Sequence, residues 1–472
     1  MANSPSPSPL ETAATSFQQE DSDFAFRNER CVLGHATGLG KTFISMLTWR
    51  KWLAAGQRVD RVLIVGTKSS LMTWQSQLLK WCGINTISLK GYSDPLWETA
   101  LNKNIPGVYI VSYASFRGLV WSVPKSRKMS FDLVILDELD QFLRKRNLTF
   151  KALKRVQSRY FIGCTATWAS RGPQDLWPIL NYISPKEFRS YWQFIYTWCI
   201  VEKGVFGVEI GGPRDAAKLA AMLRGSYYVS RTWAEAGRQF VTSPANPAEP
   251  NKVCGPVIRR PLRLPMSATQ RKLYDALERD MYLICENQTI LTSSRLATLM
   301  KLQQLALCPR IVVERGEYGP AIDYLVGQVK EEPHTVIFSP FRTALNCLEQ
   351  GLLTSGINKN RVFKIMGGTE PAELPEIIAK WKENRGVLLC TISFAQSFRI
   401  DTTNVAYMLG FSWDPNANYQ AEGRLRGYDS IITVPCLVNY IIMEDSVYDD
   451  VREVLNDKAY NVNQFMARRF SK

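Results

Sequence analysis

The segment 31–49 constrains the fold more than any other part of the chain. An apolar run is followed by a turn that contains two glycines, then by Lys41 and Thr42, and then by a second, largely apolar run. This order predicts a buried strand, a phosphate-binding loop and a helix, because glycines let backbone N–H groups converge on phosphate oxygens at the positive end of the helix dipole. Lys41 is then placed to reach the outer phosphates of a nucleotide, and the Thr42 hydroxyl to bind Mg²⁺.

A second segment supports the nucleotide hypothesis, although the loop departs from the strict GxxxxGK[ST] pattern at His35, where the first glycine belongs. The apolar run 131–136 ends in Asp137 and Glu138. Ligands bind beyond the carboxyl ends of parallel strands, so we expect Asp137 to meet the Mg²⁺ held by Thr42. Glu138 would lie beside the γ-phosphate and orient or deprotonate water. The alternative is a strand that ends in a solvated acidic turn; the two segments together favour ATP binding.

The composition indicates a globular protein, and its basic excess favours a polyanionic partner; the alternative is that the charge serves solubility. The chain has 472 residues, enough for two or three domains, and 58 Lys and Arg against 43 Asp and Glu leave a net charge of +15. No apolar run approaches the roughly 20 residues that span a bilayer, so we expect no membrane partner. The ten cysteines are scattered and the chain has two histidines, which argues against a zinc site or a disulfide framework and favours an intracellular protein.

Apolar runs that alternate with helical patterns predict an α/β fold with two lobes built on parallel sheets. Residues 1–16 are expected to form a disordered tail, and 17–240 a first lobe whose aromatic-rich part, about 169–236, is a helical extension. A proline-containing linker, 241–256, leads to a second lobe, 257–472. The second lobe has no phosphate loop, which suggests that ATP lies between the lobes and needs a group from the second one.

Buried strands are predicted in both lobes. Those of the first lobe are 31–33, 62–65, 108–111, 133–136 and 160–163. Those of the second lobe are 335–338, 362–365, 387–390, 405–409 and 437–442.

Two arginines late in the chain are candidates for the group that the second lobe supplies. The segment 420–427 contains Arg424 and Arg426. An arginine that reaches the γ-phosphate across a cleft stabilises the charge that develops during phosphoryl transfer. The alternative is a helix with two exposed arginines on an already basic protein.

The order of these motifs resembles that of the superfamily-two helicases and translocases. Similarity to their ATGxGKT loop, DEAD/DEAH box, S/T-A-T element and QxxGRxxR motif lies at 36–42, 137–140, 165–167 and 420–426. Segments that resemble the Swi/Snf-type branch, which has compact members in bacteria and phages, are 17–21, 71–81, 175–188, 227–231 and 405–420. The resemblance implies two RecA-like lobes, ATP and Mg²⁺ as cofactors, and DNA, with duplex DNA favoured, as the partner of a monomeric core.

The resemblance also implies roles for individual residues. Nucleotide contacts are implied for Gln18, which is the expected adenine contact, and for Thr37, Gly38, Leu39, Gly40, Lys41, Thr42 and Gln420. Metal binding is implied for Thr42 and Asp137, and catalysis for Lys41, Asp137, Glu138, Arg424 and Arg426. The second arginine comes one residue early, so the arginine finger is either of the two, with Arg426 favoured. Nucleic-acid contacts are implied for Lys68, Ser69, Tyr113, Thr165, Ser339, Phe341, Arg342 and Ser393.

Two further features have both a functional and a structural interpretation. The basic run 144–159 fits phosphate contacts and a solvated helix face equally well. Trp74 and Trp81 have helical spacing, and we expect them in the core and not stacked on bases.

Three functions follow from these residues. The favoured hypothesis is an ATP-driven motor that moves along or remodels duplex DNA. The second is a helicase that unwinds RNA or forked DNA. The third is an ATP-gated DNA clamp without net movement, which the irregular spacing of Arg424 and Arg426 keeps open. The cytoplasm of a bacterial or phage-infected cell is favoured over the nucleus as the location.

Overall fold

The computed structural model describes most of the chain in two compact units. The described residues are 9–91, 94–102, 105–127, 129–139, 147–166, 168–169, 172–204, 207–236, 256–280, 282–285, 288–291, 295–313, 316–370, 372–395, 398, 400, 402–412, 415–425 and 434–449. Those up to 236 belong to the first unit and those from 256 onward to the second. The predicted linker, 241–256, lies outside the described residues except for its last position.

The first unit is built on a parallel sheet of seven strands in the order β3-β4-β2-β5-β6-β1-β9. Its strands are β1 Arg30–Leu33, β2 Arg61–Gly66, β3 Ile87–Leu89, β4 Gly107–Ser112, β5 Met129–Asp137, β6 Val156–Cys164 and β9 Tyr228–Val229. A separate antiparallel hairpin is formed by β7 Cys199–Gly204 and β8 Gly207–Pro213. The five strands predicted for this lobe are all confirmed.

Ten helices of the first unit have both ends within the described residues, and a further helical stretch lies at 233–236. The ten are α1 Pro9–Ala13, α2 Ser16–Asn28, α3 Lys41–Ala54, α4 Lys68–Cys82, α5 Leu96–Leu101, α6 Tyr113–Ser122, α7 Leu148–Leu153, α8 Trp177–Ile183, α9 Tyr191–Trp198 and α10 Ala216–Ser226.

Alternate residues of the strands feed two hydrophobic cores, one on each face of the sheet. In β2, Leu63 and Val65 belong to one core, whereas Val62 and Ile64 belong to the other. A sheet that is covered on both faces needs strands that are apolar throughout, which is why continuous apolar runs identified these strands in the sequence.

Two expectations for the first lobe differ from the structure. The region 169–236 was expected to be helical, but it also contains the β7–β8 hairpin and β9, which pairs with β1. Glycines at 204, 207, 211 and 212 disfavour a helix there. Residues 9–13, expected in a disordered tail, form α1, because Leu10 is buried in the core that also contains Phe17 and Trp74.

The second unit has its own parallel sheet of six strands, in the order β10-β17-β16-β13-β15-β14. The strands are β10 Val257–Leu264, β13 Val336–Ser339, β14 Val362–Ile365, β15 Val387–Thr391, β16 Val405–Leu409 and β17 Cys436–Met443, and β11 Tyr282–Cys285 and β12 Gln288–Leu291 form an antiparallel pair. The helices are α11 Ala268–Asp280, α12 Arg295–Leu307, α13 Pro320–Glu331, α14 Arg342–Thr354, α15 Leu374–Asn384 and α16 Pro415–Glu422.

The prediction of an α/β fold with two parallel sheets is therefore confirmed. The strand β10 was not among the predicted strands, because exposed arginines and Pro261 interrupt its apolar pattern. In the part of the chain that the structure describes, no helix has both the length and the apolar content needed to cross a membrane.

Two glycines of the second unit should respond in opposite ways to a methyl group. A Cβ atom at Gly386 would lie 2.2 Å from the Arg361 carbonyl oxygen, whereas nothing lies within 4 Å of one at Gly327 in α13. We expect Gly386→Ala to lower the free energy of unfolding by about 1–3 kcal/mol through overpacking. Gly327→Ala should raise it by about 0.5–1 kcal/mol through helix propensity. Urea unfolding followed by circular dichroism measures both, and equal midpoints for the two variants would contradict the packing described here.

Candidate functional site

The register of three neighbouring strands brings the predicted phosphate loop and the carboxylates to one edge of the first sheet. Leu33, the last residue of β1, pairs with Cys164 at the end of β6, and Cys164 pairs in turn with Asp137 at the end of β5. Because neighbouring strands are about 4.8 Å apart, the ends of β1 and β5 lie roughly 10 Å from each other. The structure thus brings together the two segments that the sequence predicted to share a site.

Two glycines shape the loop between β1 and α3. Gly38 and Gly40 have φ angles of 90° and 79°, in the left-handed region that glycine adopts at little cost. The helix α3 begins at Lys41, so Lys41 and Thr42 lie in its first turn. The first N–H groups of a helix have no acceptor within the helix and point toward its positive end, which suits phosphate oxygens.

Gln18, the predicted adenine contact, lies directly beside the loop. A Cβ atom at Gly40 would be 2.7 Å from Gln18 Nε2, so any side chain at that position would displace the amide. The Oε1 atom of Gln18 accepts a hydrogen bond from the Thr15 N–H at 3.1 Å and so caps α2. This places Gln18 next to the loop; its contact with adenine stays a prediction.

Behind the loop lies a buried network of charged and polar groups. His35 is fully buried, and its Nε2 lies 2.8 Å from Asp21 Oδ2. Arg231 donates from Nε to both Asp21 oxygens and from Nη2 to Oδ1 at 2.8 Å. The backbone oxygen of His35 accepts a hydrogen bond from Lys41 Nζ at 2.9 Å. The network therefore ties the predicted phosphate-binding lysine to α2 and to the segment after β9.

Burial and hydrogen bonding act on the pKa values of this network in opposite directions. Burial lowers the pKa of His35, and this outweighs the opposing effect of Asp21. For Asp21, burial raises the pKa, but hydrogen bonds from His35 and Arg231 outweigh it and the pKa is lowered. The consistent protonation state is a neutral imidazole beside an ionised carboxylate that the guanidinium compensates.

The segment 229–233, called the strap below, holds the loop backbone from the side. The Gly34 N–H donates to the Val229 oxygen at 2.8 Å, and the Ala36 N–H donates to the Arg231 oxygen at 3.0 Å. Trp233 Nε1 donates to the Thr37 oxygen at 3.0 Å. Leu39 is fully buried. The first half of the loop is therefore fixed by the protein, and its second half, from Gly38 onward, carries the left-handed glycines.

The carboxylate pair lies at the end of β5. Asp137 is 8% exposed, and its carboxylate accepts hydrogen bonds from Trp74 Nε1 and from the Glu138 N–H, each at 3.1 Å. Glu138 has a φ of 50°, an uncommon value for a residue other than glycine that recurs at functional sites. Thr42 and Asp137 offer hydroxyl and carboxylate oxygens, which are the ligands that Mg²⁺ prefers. The residues present therefore fit the metal that the sequence predicted.

In the second unit, the segment with the predicted arginines is anchored through Glu422, a residue for which the motifs predicted no role. Glu422 is 2% exposed; it accepts two hydrogen bonds from Arg259 Nε, at 2.8 and 3.0 Å, and one from the Tyr440 hydroxyl. Gln420, on the same helix α16, is also buried, and Arg424 follows in a short 3₁₀ turn where its backbone oxygen accepts from the Ile400 N–H at 2.9 Å. Arg426 lies outside the described residues.

The predicted nucleic-acid contacts divide by exposure. Lys68, Arg342 and Ser393 are exposed, Phe341 is half-buried at the start of α14, and the side chain of Ser69 lies outside the described residues. The side chains of Tyr113, Thr165 and Ser339, however, are buried, and the Tyr113 hydroxyl donates to the Asp137 backbone oxygen at 2.8 Å. These three side chains are unavailable to DNA in this structure, which motif order alone could not indicate.

The site residues to which the motifs gave no role share one signal: each is polar or aromatic and lies within a segment that resembles either the superfamily or its Swi/Snf-type branch. Asp21 and Arg231 lie in segments 17–21 and 227–231, Trp74 in 71–81 and Glu422 in 420–426. Trp74 is 1% exposed, so the expectation that it belongs to the core is confirmed. Trp81 is half-buried and packs edge-on against Phe43. The greater part of 144–159 is described, but Arg144, Lys145 and Arg146 lie outside the described residues.

Comparison with known proteins gives matches across both units. Residues 23–311 match the SNF2-related domain, and residues 319–426 match the helicase conserved C-terminal domain. A probable chromatin-remodeling complex ATPase chain of Oryza sativa is 23% identical, and the match covers 83% of this chain and 35% of the relative. An ISWI chromatin-remodeling complex ATPase of Arabidopsis thaliana is 22% identical, and the match covers 83% of this chain and 36% of the relative. The chain thus spans about a third of the length of these curated relatives. A solved SWI2/SNF2 ATPase core of Sulfolobus solfataricus in complex with double-stranded DNA aligns with 97% of this chain and 95% of its own, at 17% identity and a TM-score of 0.43.

The lowered pKa of His35 predicts how the stability of the first unit depends on pH. The unfolded chain binds a proton at His35 near pH 6.5, whereas the folded network keeps the imidazole neutral. The free energy of unfolding should therefore fall as the pH drops below about 6.5, by up to about 1.4 kcal/mol per pH unit. Thermal unfolding at about pH 7.5 and about pH 5.5, above the range in which carboxylates titrate, measures this loss.

The variant His35→Gln isolates the contribution of this residue. The substitution removes the titrating imidazole, so the melting temperature should fall less between about pH 7.5 and about pH 5.5 than it does in the wild type. The difference should be about 2–4 °C for each kcal/mol of pH-dependent stability that His35 contributes. His334→Gln is the matched substitution in the second unit, where burial also lowers the pKa of the histidine. Its melting temperatures at the same two pH values are compared with those of His35→Gln. An unchanged pH dependence in His35→Gln would contradict a neutral, buried imidazole.

Proposed function

The chain belongs to the SNF2-related family, and from this premise we propose that it hydrolyses ATP and couples the hydrolysis to movement along duplex DNA. The observation that carries the proposal is the sheet edge at which β1 and β5 both end, on either side of β6. Asp137 is the last residue of β5 and Glu138 follows it, and Lys41 and Thr42 begin the helix after β1. The match of the second unit to the helicase conserved C-terminal domain supports a motor built from two lobes.

Each residue of this edge has a distinct role in the proposal. The N–H groups at the start of α3 bind the phosphates. Lys41 gives up its hydrogen bond to the His35 backbone oxygen and donates to phosphate oxygens instead. Thr42 and Asp137 would hold Mg²⁺, which when bound neutralises charge on the phosphates. Glu138 orients the attacking water and accepts its proton. An arginine of the second unit, Arg424 or Arg426, stabilises the transferring phosphoryl group.

Duplex DNA is the proposed track for reasons of charge and of family. The net charge of +15 favours a polyanion, and contacts to the phosphate backbone require no base sequence. The exposed Lys68 at the start of α4 and Arg342 at the start of α14 are the cationic contacts that we assign to the backbone. The relatives named above are ATPase chains of chromatin-remodeling complexes.

Substitutions at the edge should abolish ATP hydrolysis. Glu138→Gln removes the group that accepts the proton of water, and a loss of about 10²–10⁴-fold in kcat is expected. Lys41→Ala removes the positive charge that contacts the outer phosphates, and it should abolish turnover as well. Lys51→Ala is the matched control, because Lys51 lies on the same helix but pairs with Asp23. Release of inorganic phosphate measures all three, and wild-type turnover in Glu138→Gln would rule out the proposed chemistry.

Movement and track can be tested together by displacement of the third strand from a DNA triplex. We expect ATP-dependent displacement, and ATPase stimulation that is strongest with duplex DNA, weaker with single strands and weakest with RNA. Stimulation by RNA or forked DNA alone would favour an unwinding helicase. ATP-dependent retention on DNA without displacement would favour a clamp. Either result would overturn the proposal of movement along duplex DNA.

The assigned backbone contacts provide a second readout of the same experiment. Lys68→Ala should raise the DNA concentration needed for half-maximal ATPase and lower its dependence on salt, because one phosphate contact is lost. Lys380→Ala is the control, since Lys380 is exposed but pairs with Glu376 one turn away on α15. Equal effects of the two substitutions would show that Lys68 does not contact the DNA backbone.

A further inference from the structure

The indole of Trp74 contacts the carboxylate to which the proposed function assigns the metal. Trp74 Nε1 donates to Asp137 Oδ2 at 3.1 Å, and the two side chains are 1% and 8% exposed. The other oxygen, Oδ1, accepts the Glu138 N–H at 3.1 Å. Each carboxylate oxygen thus has one N–H donor and keeps further lone pairs for a metal. With a donor on each oxygen, rotation of the carboxylate would break a hydrogen bond.

The position of the indole is itself fixed by the packing of α4. The helix begins after Thr67, whose side chain accepts the Ser70 N–H at 3.1 Å, and Trp74 follows one turn later in the core shared with Leu71 and Leu78. Gly66 lets this helix approach the end of β5, because a Cβ atom there would lie 2.5 Å from Ser70 Oγ and 3.5 Å from Asp137 Cβ. The donor is therefore held on a rigid element.

Other buried tryptophans of the first unit use their N–H groups differently. Trp49, Trp52, Trp97 and Trp177 donate to backbone oxygens of Val59, Phe26, Leu119 and Phe188. In these four cases the backbone oxygen satisfies the indole N–H, as a buried N–H requires, and lies away from the candidate site. Trp74 instead donates to a charged side chain at the candidate site. The Trp74 hydrogen bond thus differs from the other four in its acceptor, a carboxylate of the candidate site.

We propose that Trp74 is a positioning residue for Asp137, and that its N–H group holds the carboxylate in the orientation that binds the metal of the metal–ATP substrate. The inference rests on the proposed function, because it requires Asp137 to be a metal ligand. Hydrogen-bond partners of metal ligands typically contribute about 10–100-fold to metal affinity. Loss of the indole N–H should therefore appear in the metal dependence of nucleotide binding.

The test uses Trp74→Phe, which keeps an aromatic ring and removes the donor, with Trp49→Phe as the matched control. Binding of N-methylanthraniloyl-ATP to the full chain is measured by fluorescence anisotropy over a MgCl₂ titration and in EDTA. Trp74→Phe should raise the Mg²⁺ concentration for half-maximal binding by about 10–100-fold. Its affinity in EDTA and that of Trp49→Phe should match the wild type. Both substitutions replace a buried indole by a smaller ring, and the melting temperatures of the two variants measure the loss of stability that this causes.

Different outcomes separate this inference from the proposed function. If the wild type binds the nucleotide with no Mg²⁺ dependence, the metal site itself is absent and the proposed function fails with it. If the wild type depends on Mg²⁺ and Trp74→Phe has the same dependence, the role of Trp74 alone is overturned. A loss of affinity that is equal in Mg²⁺ and in EDTA likewise indicates a structural role and overturns the inference.

A double-mutant cycle locates the effect at the carboxylate. In an Asp137→Asn background the metal dependence should already be weak, and adding Trp74→Phe should change it little. A further loss of the size seen in the wild-type background would show that Trp74 acts through another group, and would overturn the assignment to Asp137.

Discussion

The alignment of strand ends in a parallel sheet is the constraint on which the rest of the first unit depends. Parallel neighbours place their carboxyl ends at one edge, and the pairs Leu33–Cys164 and Cys164–Asp137 fix which residues meet there. A shift of one residue in β6 would exchange the side chains that face the two cores, and because both cores are closely packed, this exchange would disrupt the packing of each. The site thus inherits its geometry from the burial of both faces of the sheet, and the loops add the chemistry.

Buried carboxylates then attach the functional segments to these sheets. Asp21 and Glu422 are each almost fully buried, and each pairs with one arginine from a distant part of the chain, Arg231 and Arg259. A buried charge without its partner costs several kcal/mol, so these pairs tolerate few arrangements. In the first unit the pair holds the strap and α2 against the loop; in the second it holds α16 against β10. Specificity of arrangement is the better interpretation of these pairs than added stability.

The sequence predicts what local patterns determine and misses what depends on distant partners. Apolar runs predicted the inner strands because each is buried on both faces. The hairpin at 199–213 was missed, since aromatic residues before it suggested a helix, and β9 at 228–229 is too short to have a pattern. The burial of Tyr113 follows from its hydrogen bond to the Asp137 oxygen, which no spacing reveals. Likewise, nothing near His35 in the sequence indicates an arginine almost two hundred residues later.

The departure of the loop from the GxxxxGK[ST] pattern has a structural explanation. A glycine in such a loop is needed where a Cβ atom would clash or where φ is positive. His35 meets neither condition: its φ is not positive, and its side chain turns inward to Asp21. The close approach falls one residue earlier, at Gly34, where a Cβ atom would lie 1.8 Å from the Tyr228 hydroxyl oxygen. The Tyr228 ring of β9 therefore requires the glycine at position 34 and not at position 35. The side chain of His35 can then take part in the network behind the loop.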